Sequence, residues 1–431
     1  MRAGSFPVAV GLNLPPLPPS FRGAILRSPG ETAPWSGASG PFWRPPLGVL
    51  RPRDSEDVSV AVSWAAREGI PLIPRGGGTG MPGGNVGSGV ILDLSDLHWI
   101  APPGASGAPG AHGSGSGGPG TMTLRAGAGA VAAHLRDRAR EVAMDLPALP
   151  SSARWCTLGG MLACNAAGAR SFRHGAARSW VREVEWIRAD GRAERITRGD
   201  PPAPEWRTLA DNLSQALPDP LPWPRVRKNS SGYALDVFLP RGEPLALAVG
   251  SEGTLGVVTE AVLELTPPPH TRAVALMGVP TLPFLVEAAG AVAGIPAVEA
   301  CEYFGRRLVE LGGLGGETQL EDLSLVHGLL LLEVAGDAGE VEDALAALAR
   351  LARGAGLVTA RDPEGMAALW EFRHAASPTI ARALSQGRRS TQFVEDSVVP
   401  VPLLGAYIEG LHEILARHQT DAVLFGHAGD G

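Results

Sequence analysis

The segment from Leu72 to Leu94, LIPRGGGTGMPGGNVGSGVILDL, places eight glycines between two apolar runs. Backbone without Cβ atoms can approach a phosphate closely, so this loop suggests a nucleotide site beside the simpler interpretation of a flexible surface loop. Gly78, Gly80 and Gly83 have the GxGxxG spacing of a dinucleotide-binding turn. That motif needs a helix after its third glycine, and a Walker loop needs Gly-Lys-Ser/Thr, whereas this chain continues into GVILDL. We therefore predict strand, glycine-rich loop and strand, with backbone N–H groups that converge on a diphosphate.

Composition narrows the class of protein. A chain of 431 residues is long enough for two or three domains, and its formal charge of −7 without a long basic run argues against nucleic acid as a partner. Cys156, Cys164 and Cys301 form no CxxC pair, which argues against a disulfide framework and against a zinc or iron-sulfur centre held by this chain alone. No stretch reaches the roughly 18 apolar residues of a spanning helix. We expect a cytoplasmic protein, free or peripheral to the inner face of a membrane.

The pattern along the chain predicts two domains after an extended lead-in at residues 1–41. Residues 42–266 contain a helix from Asp54 to Gly69, the glycine-rich loop and a low-complexity insertion at 101–120. Residues 267–431 alternate strand-like runs with helices, including one long helix over MAALWEFRHAASPTIARAL and a last strand DAVLFGHAG. That alternation predicts an α+β domain with a mixed or antiparallel sheet.

Four stretches carry a family resemblance: PRGGGTGMPGG, CTLGGMLACNAAGARSFRHG, RKNSSGYALDVF and GSEGTLGVVTEAVLEL. In this order they resemble the FAD-binding domain of the vanillyl-alcohol oxidase and p-cresol methylhydroxylase (PCMH) superfamily. The similar branch is the FAD-linked oxidases, with D-lactate dehydrogenases, D-2-hydroxyglutarate dehydrogenases and the glycolate oxidase catalytic subunit. The resemblance implies an α+β protein, in which a PCMH-type FAD-binding domain of two α/β subdomains precedes a ferredoxin-like substrate cap.

The resemblance also implies which residues line FAD, although a tight turn remains the alternative for each single glycine. The cofactor is expected to be noncovalent, because the first loop has no histidine for attachment. His174 lies near flavin-lining positions, but a structural hydrogen bond is the favoured interpretation. The implied pyrophosphate segment is Arg75, Gly76, Gly77, Gly78, Thr79, Gly80, Gly83 and Gly84; the flavin side is Thr157, Gly159, Gly160, Asn165, Ala166 and Gly168; the adenosine or pyrophosphate region is Glu252, Gly253 and Val258.

In the second domain, LWEFRHAAS matches a substrate-binding helix of the family. Arg373 is expected to bind a substrate carboxylate with its planar fork, with a surface ion pair as the alternative. Ser377 is expected one turn later on the same face, where it would hydrogen-bond that carboxylate or a neighbouring oxygen. In TQFVEDSVVP, Val394 replaces a family lysine, which weakens the case for a dicarboxylate; Glu395 and Asp396 are read as exposed strand charges.

FGHAGDG matches the start of a family motif in which a first histidine, here His427, helps to hold a divalent metal. Tight binding needs about three protein ligands, so we expect either a longer natural chain that supplies the others, and in some relatives an iron-sulfur module, or a protein without the family's catalytic base.

The expected activity is oxidation of a small 2-hydroxy acid, such as D-lactate or glycolate, with hydride transfer to flavin N5. Arg373 would anchor the carboxylate, and a base beyond this sequence, with metal help through His427, would take the hydroxyl proton. Electrons would pass to a quinone, an iron-sulfur module or an electron-transfer flavoprotein. Two alternatives stay open: an FAD enzyme acting on a sugar or alkyl-glycerone compound, and a noncatalytic flavoprotein subunit.

Overall fold

The computed structural model describes residues 14–105, 120–218, 220–312, 326–383 and 397–431. Most of the predicted insertion at 101–120, together with Val394, Glu395 and Asp396, lies outside the described residues. Within the described ranges the strands form three sheets, and no helix there has the length and apolarity needed to cross a membrane.

The first sheet holds the glycine-rich loop. Its elements are β1 (Ala24–Leu26), α1 (Pro29–Thr32), β2 (Gly48–Arg51), α2 (Ser55–Glu68), β3 (Leu72–Arg75) and β4 (Val90–Asp93). Helix α2 begins where the Asp54 side chain accepts from the Asp57 N–H, and it ends at Gly69, whose φ of 64° is left-handed. These ends confirm the predicted helix.

Strands β3 and β4 are parallel neighbours in the order β1-β2-β4-β3. Parallel neighbours require a crossover, which is usually a helix. Here residues 76–89 make the crossover without one, since their glycines and Pro82 disfavour helix. The loop therefore leaves the carboxyl end of β3 and runs back along the sheet to β4.

The second sheet has the order β5-β6-β9-β7-β8, with antiparallel neighbours throughout. Leu124, Leu135, Leu158, Trp186 and Phe238 belong to its core. The elements are β5 (Gly104–Ala105), β6 (Met122–Gly127), α3 (Ala132–Arg140), α4 (Leu158–Ala163), α5 (Ser171–His174), β7 (Val181–Arg188), β8 (Ala193–Thr197), α6 (Pro204–Ala216), α7 (Leu235–Phe238), α8 (Leu245–Ala248) and β9 (Gly256–Glu264).

The third sheet, that of the cap, has the antiparallel order β13-β10-β12-β11-β14. Helices cover both of its faces, which explains continuous apolar runs such as GLLLLEV. This arrangement agrees with the predicted α+β class. The elements are β10 (Thr271–Val279), α9 (Leu282–Val292), β11 (Val298–Gly305), α10 (Arg306–Gly312), β12 (Gly328–Gly336), α11 (Ala338–Leu351), β13 (Leu357–Ala360), α12 (Pro363–His374), α13 (Ala376–Ala383), α14 (Leu404–Arg417) and β14 (Phe425–Gly426).

Two predicted elements differ from the structure. The predicted long helix is interrupted at Ala375, because Pro378 lacks the N–H that would donate to the His374 carbonyl. Ser377 is exposed, whereas the Arg373 side chain is only 16% exposed, so the predicted shared face is not observed. The predicted last strand is reduced to β14, which pairs with β11.

Helix α5 joins the second and third sheets. Its Phe172 precedes the cap in sequence but is 4% exposed and lies in the core cluster of the cap sheet. Ser171 Oγ donates to Asp430 Oδ2 at 2.9 Å from the same helix. The two sequence domains therefore share one packed interface.

Candidate functional site

The glycine-rich loop lies directly against the residues that lead into α4. A Cβ on Gly76 would fall 2.1 Å from Thr157 Oγ1, and a Cβ on Gly77 would fall 2.1 Å from the Trp155 carbonyl oxygen. Both distances are far inside van der Waals contact, so these positions require glycine. The structure thus brings together two of the three predicted cofactor-binding segments.

Thr157 has an unsatisfied polar atom at this contact. Its residue is 4% exposed, its Oγ1 has no hydrogen-bond partner among the described residues, and it does not cap α4. Leaving a buried hydroxyl unpaired costs about 1–3 kcal/mol. A polar ligand bound at the edge of this contact would supply the missing partner, so this arrangement fits the predicted cofactor.

The third predicted segment, Glu252 and Gly253, completes the same region. A Cβ on Gly84 would lie 3.5 Å from Glu252 Oε2, and one on Gly253, whose φ is 75°, would lie 3.0 Å from Pro74. Glu252 (φ 53°) and Asn165 (φ 44°) adopt left-handed backbone that is uncommon outside glycine. Such strained residues cluster at functional sites, and here both flank α4.

Several predicted cofactor residues shape the backbone instead of presenting a side chain. The Arg75 guanidinium donates to the carbonyl oxygens of Trp35 (3.3 Å) and Asn85 (3.0 Å), and burial lowers its pKa. The Asn165 side chain accepts from the Arg178 N–H, and the Val258 side chain lies in the core. Among the other predicted positions, Gly159 packs tightly against Ala128 and Gly168 against the Leu149 carbonyl. Gly78, Thr79, Gly80 and Gly83 continue the loop, Gly160 lies in α4, and Ala166 follows that helix.

In the cap, a buried carboxylate holds two predicted catalytic residues. Glu302 of β11 is 0% exposed. Its Oε2 accepts from Arg373 Nε at 2.8 Å, and its Oε1 is hydrogen-bonded to His427 Nδ1. Burial alone would raise the pKa of Glu302, but His427 and Arg373 outweigh it and lower that pKa to about 2. Glu302 is therefore ionised at neutral pH.

This pairing leaves hydrogen-bonding groups available on both partners. The Arg373 guanidinium lies 5.0 Å from the centre of the Phe425 ring. Within the described residues, its Nη1 and Nη2 form no ion pair and His427 Nε2 forms no hydrogen bond. An oxyanion can therefore bind beside Glu302.

A second set of charged side chains, built around the buried Glu299 and Glu333, joins the two domains. We call Arg170, His174, Arg272, Glu299 and Glu333 the junction cluster. Arg170 Nε and Arg272 Nη1 each donate to Glu333 Oε1 at 2.6 Å. Arg272 also donates to Glu299, and His174 Nε2 lies 3.1 Å from Glu299 Oε1. Burial opposes ionisation of Glu299, but His174 and Arg272 lower its pKa to about 2. His174 thus has the kind of structural hydrogen bond expected of it.

Trp370 connects the junction cluster to α12, the helix that carries Arg373. Its indole N–H donates to Glu333 Oε2 at 2.9 Å, and it lies on α12 about one turn before Arg373. Glu302 on β11 and Glu333 on the adjacent strand β12 therefore accept hydrogen bonds from Arg373 and Trp370 of α12.

Sequence reasoning identified neither Glu302 nor Glu333, and it did not predict β11. The available signal was an acidic residue within each of the apolar runs ACEYF and LLLLEVA. Carboxylates are almost never fully buried unless they are paired, so these positions indicated buried partners.

His427 remains a predicted metal ligand. In the part of the chain that the structure describes, no group of three or more His, Cys, Asp or Glu side chains is arranged to hold a metal ion.

Comparison with known proteins finds one family model in each of the two predicted domains. The model of an FAD binding domain matches residues 46–197, and that of the C-terminal domain of FAD linked oxidases matches residues 268–431. The chain belongs to the FAD-linked oxidase family, and its cofactor is FAD.

Curated relatives align over most of the chain. A D-2-hydroxyglutarate dehydrogenase of Xanthomonas citri is 28% identical over 90% of this chain and 72% of the relative. A D-lactate dehydrogenase of Archaeoglobus fulgidus is 27% identical (89% and 73%), and the glycolate oxidase subunit GlcD of Bacillus subtilis is 25% identical (90% and 72%).

A solved structure of alkyldihydroxyacetonephosphate synthase shares the fold. It has a TM-score of 0.58 and 16% identity over 86% of this chain and 66% of that chain. At this identity the likeness concerns the fold alone.

Proposed function

We propose that this chain is an FAD-dependent oxidoreductase that converts a small 2-hydroxy acid, of the D-lactate or glycolate type, to the 2-oxo acid. The observation that carries the proposal is the attachment of Arg373 and His427 to one buried carboxylate, with their outer nitrogens available. The names of the curated relatives, which are dehydrogenases and an oxidase subunit for 2-hydroxy acids, support the same substrate class.

The proposed FAD site consists of the backbone of Gly76, Gly77 and Gly78, the Thr157 hydroxyl, and the Glu252–Gly253 turn. Glycine backbone permits the close approach that a diphosphate requires, and Thr157 Oγ1 lacks any other partner among the described residues. When bound, FAD supplies the acceptor for the hydride that leaves C2 of the hydroxy acid.

The cap residues would bind and orient the substrate. Arg373 would form a bidentate pair with the carboxylate through Nη1 and Nη2. His427 would face the C2 hydroxyl with Nε2, where it can hold the proton released as the hydroxyl becomes a carbonyl. The electron acceptor, whether quinone, iron-sulfur module or electron-transfer flavoprotein, and a cytoplasmic location belong to the same proposal.

The test is anaerobic addition of D-lactate, glycolate and D-2-hydroxyglutarate to the purified FAD-loaded protein, followed by turnover with a dye acceptor. We expect loss of the visible flavin absorbance with at least one of them, and none with L-lactate as the stereochemical control. A flavin-loaded protein that no hydroxy acid bleaches would refute the proposed substrate class, and sugar or alkyl-glycerone substrates would then be tried. A purified protein that retains no flavin would favour the noncatalytic alternative.

The FAD site is tested by Thr157→Val, which keeps the side-chain shape and removes the unpaired hydroxyl. We expect unchanged or higher stability without FAD and about tenfold weaker FAD binding, equivalent to one lost hydrogen bond of about 1.4 kcal/mol. Thr259→Val is the matched control, because Thr259 is buried in β9 and its hydroxyl donates to the Glu185 carbonyl. Equal FAD affinity in Thr157→Val and wild type would remove Thr157 from the site.

A further inference from the structure

We propose that Glu302 is the positioning residue of the substrate site: its two carboxylate oxygens fix the orientation of Arg373 and the protonated ring nitrogen of His427. This inference rests on the proposed function, because it assigns the group that prepares both residues for a hydroxy acid. Glu302 itself is too deeply buried to bind the substrate.

The first argument is topological. Arg373 comes from α12 and His427 follows β14, so the two are distant in the chain. Strand β14 pairs antiparallel with β11 in the register Tyr303↔Gly426, which places His427 beside Glu302. Helix α12 approaches the same strand, where Arg373 Nε meets Oε2. In the described chain, Glu302 is the group that contacts both residues.

The second argument concerns Arg373. A guanidinium has five N–H donors in a planar fork. Glu302 engages the inner donor, Nε–H, at 2.8 Å. This contact restrains the plane of the guanidinium, and within the described residues Nη1 and Nη2 form no ion pair. An arginine held in this way loses less conformational freedom when it binds a carboxylate.

The third argument concerns His427. A carboxylate only accepts hydrogen bonds, so Nδ1 must carry the proton that faces Glu302. In the neutral ring the other nitrogen, Nε2, is then the acceptor. Nε2 is therefore kept ready to receive a proton.

An amide at position 302 cannot serve both partners. Gln has one acceptor oxygen and one donor NH₂ group, while Arg373 Nε is always a donor. In Glu302→Gln the oxygen must face Arg373 and the NH₂ group must face His427. Nδ1 then becomes the acceptor and Nε2 carries the proton, which is the reverse of the wild-type tautomer.

The experiment compares Glu302→Gln with Glu299→Gln. Both carboxylates are on β11, both are buried, and both are paired with an arginine and a histidine. Glu299 contacts neither Arg373 nor His427, so its variant measures the cost of neutralising a buried pair on this strand. We expect similar losses of thermal stability and retained FAD, but a fall in kcat/KM of about 10- to 100-fold in Glu302→Gln alone.

The tautomer of His427 provides a readout independent of turnover. Two-bond proton–nitrogen NMR of ¹⁵N-histidine-labelled protein, recorded where histidine is neutral, distinguishes Nδ1–H from Nε2–H, and His427→Asn assigns the signal. We expect Nδ1–H in wild type and in Glu299→Gln, and Nε2–H in Glu302→Gln.

Each outcome bears on one proposal. Wild-type protein that oxidises no hydroxy acid refutes the proposed function, while the NMR still tests the hydrogen bonding of Glu302. Active wild type with equal kinetics in Glu302→Gln and Glu299→Gln overturns the positioning role. Should Glu302→Gln fail to fold, an Nε2–H signal for His427 in wild type would overturn it without any variant at position 302.

Discussion

Glu302 and the junction cluster use the same chemistry in one sheet but differ in the domains from which their partners come. Glu333 accepts from Arg170, Arg272 and Trp370 on its two oxygens, and Glu299 is paired with Arg272 and His174. Glu302 instead faces one arginine and one histidine, both of which belong to the cap.

The difference separates an interface from a binding site. The junction cluster takes Arg170 and His174 from the FAD-binding domain and its other members from the cap, so it joins the two domains. At Glu302 a single carboxylate serves two groups that can carry positive charge, so a further anion can be accommodated. A buried ion pair thus gives little information by its presence, and the domains from which its partners come distinguish the two sets.

The largest expected effect is that of Arg373→Met, which removes the guanidinium but keeps an apolar side chain. Loss of a buried, hydrogen-bonded charge partner costs about 2–5 kcal/mol, so kcat/KM for the hydroxy acid should fall by about 100- to 1,000-fold. Arg361→Met is the control, because Arg361 forms an exposed pair with Glu342, and it should change kcat/KM less than about twofold. Near-normal kinetics in Arg373→Met would show that the carboxylate binds elsewhere.

Acid should weaken the junction cluster. The pKa of Glu299 is about 2 in the folded protein and 4.5 ordinarily, so its pairing stabilises the fold fully above about pH 4.5. That stabilisation, about 3 kcal/mol, is lost as pH falls through about 2. Denaturant unfolding between about pH 6 and pH 3 should show the decline, with a smaller slope in Glu299→Gln. An unchanged slope would contradict this assignment.

A smaller effect is expected for Arg170→Met, which removes the contribution of the FAD-binding domain to Glu333. Arg272 and Trp370 remain as partners, and the Arg170 side chain is 27% exposed, so we expect a loss of about 2 kcal/mol in the free energy of unfolding. The KM of the hydroxy acid should not change. A rise in KM would show that the junction cluster also sets the substrate site.

The smallest effect is expected for Trp370→Phe, which removes one hydrogen bond to Glu333 and keeps most of the ring. We expect a loss of about 1 kcal/mol in stability, measured by denaturant unfolding. Because Trp370 and Arg373 share α12, the KM of this variant tests how far the two regions are independent. An unchanged KM would support the independence of the junction cluster and the substrate site, and a severalfold rise in KM would contradict it.

Local signals predicted much of this architecture. The cap at Asp54 and the glycine at Gly69 bounded α2, and the apolar runs around the loop predicted β3 and β4. Their parallel pairing was not predicted, because register depends on contacts with β2 that are distant in the chain. Strand β11 was missed because Glu299 and Glu302 interrupt its apolar pattern. Their burial depends on arginines located far along the chain, which no local pattern reveals.

Phe172 has a consequence for how such chains can be cut and recombined. By sequence it belongs to the first large domain, yet a Cβ on Gly429 would lie 2.5 Å from its ring, inside the cap core. A cap produced alone would therefore lack the Phe172 side chain and would expose the apolar surface that this ring covers. We expect an exchange of caps between relatives to succeed only where the apolar cavity of the new cap fits the side chain that the recipient has at the position of Phe172. The packed core of the cap thus includes Phe172, which lies before residue 268, where the match to the C-terminal family model begins.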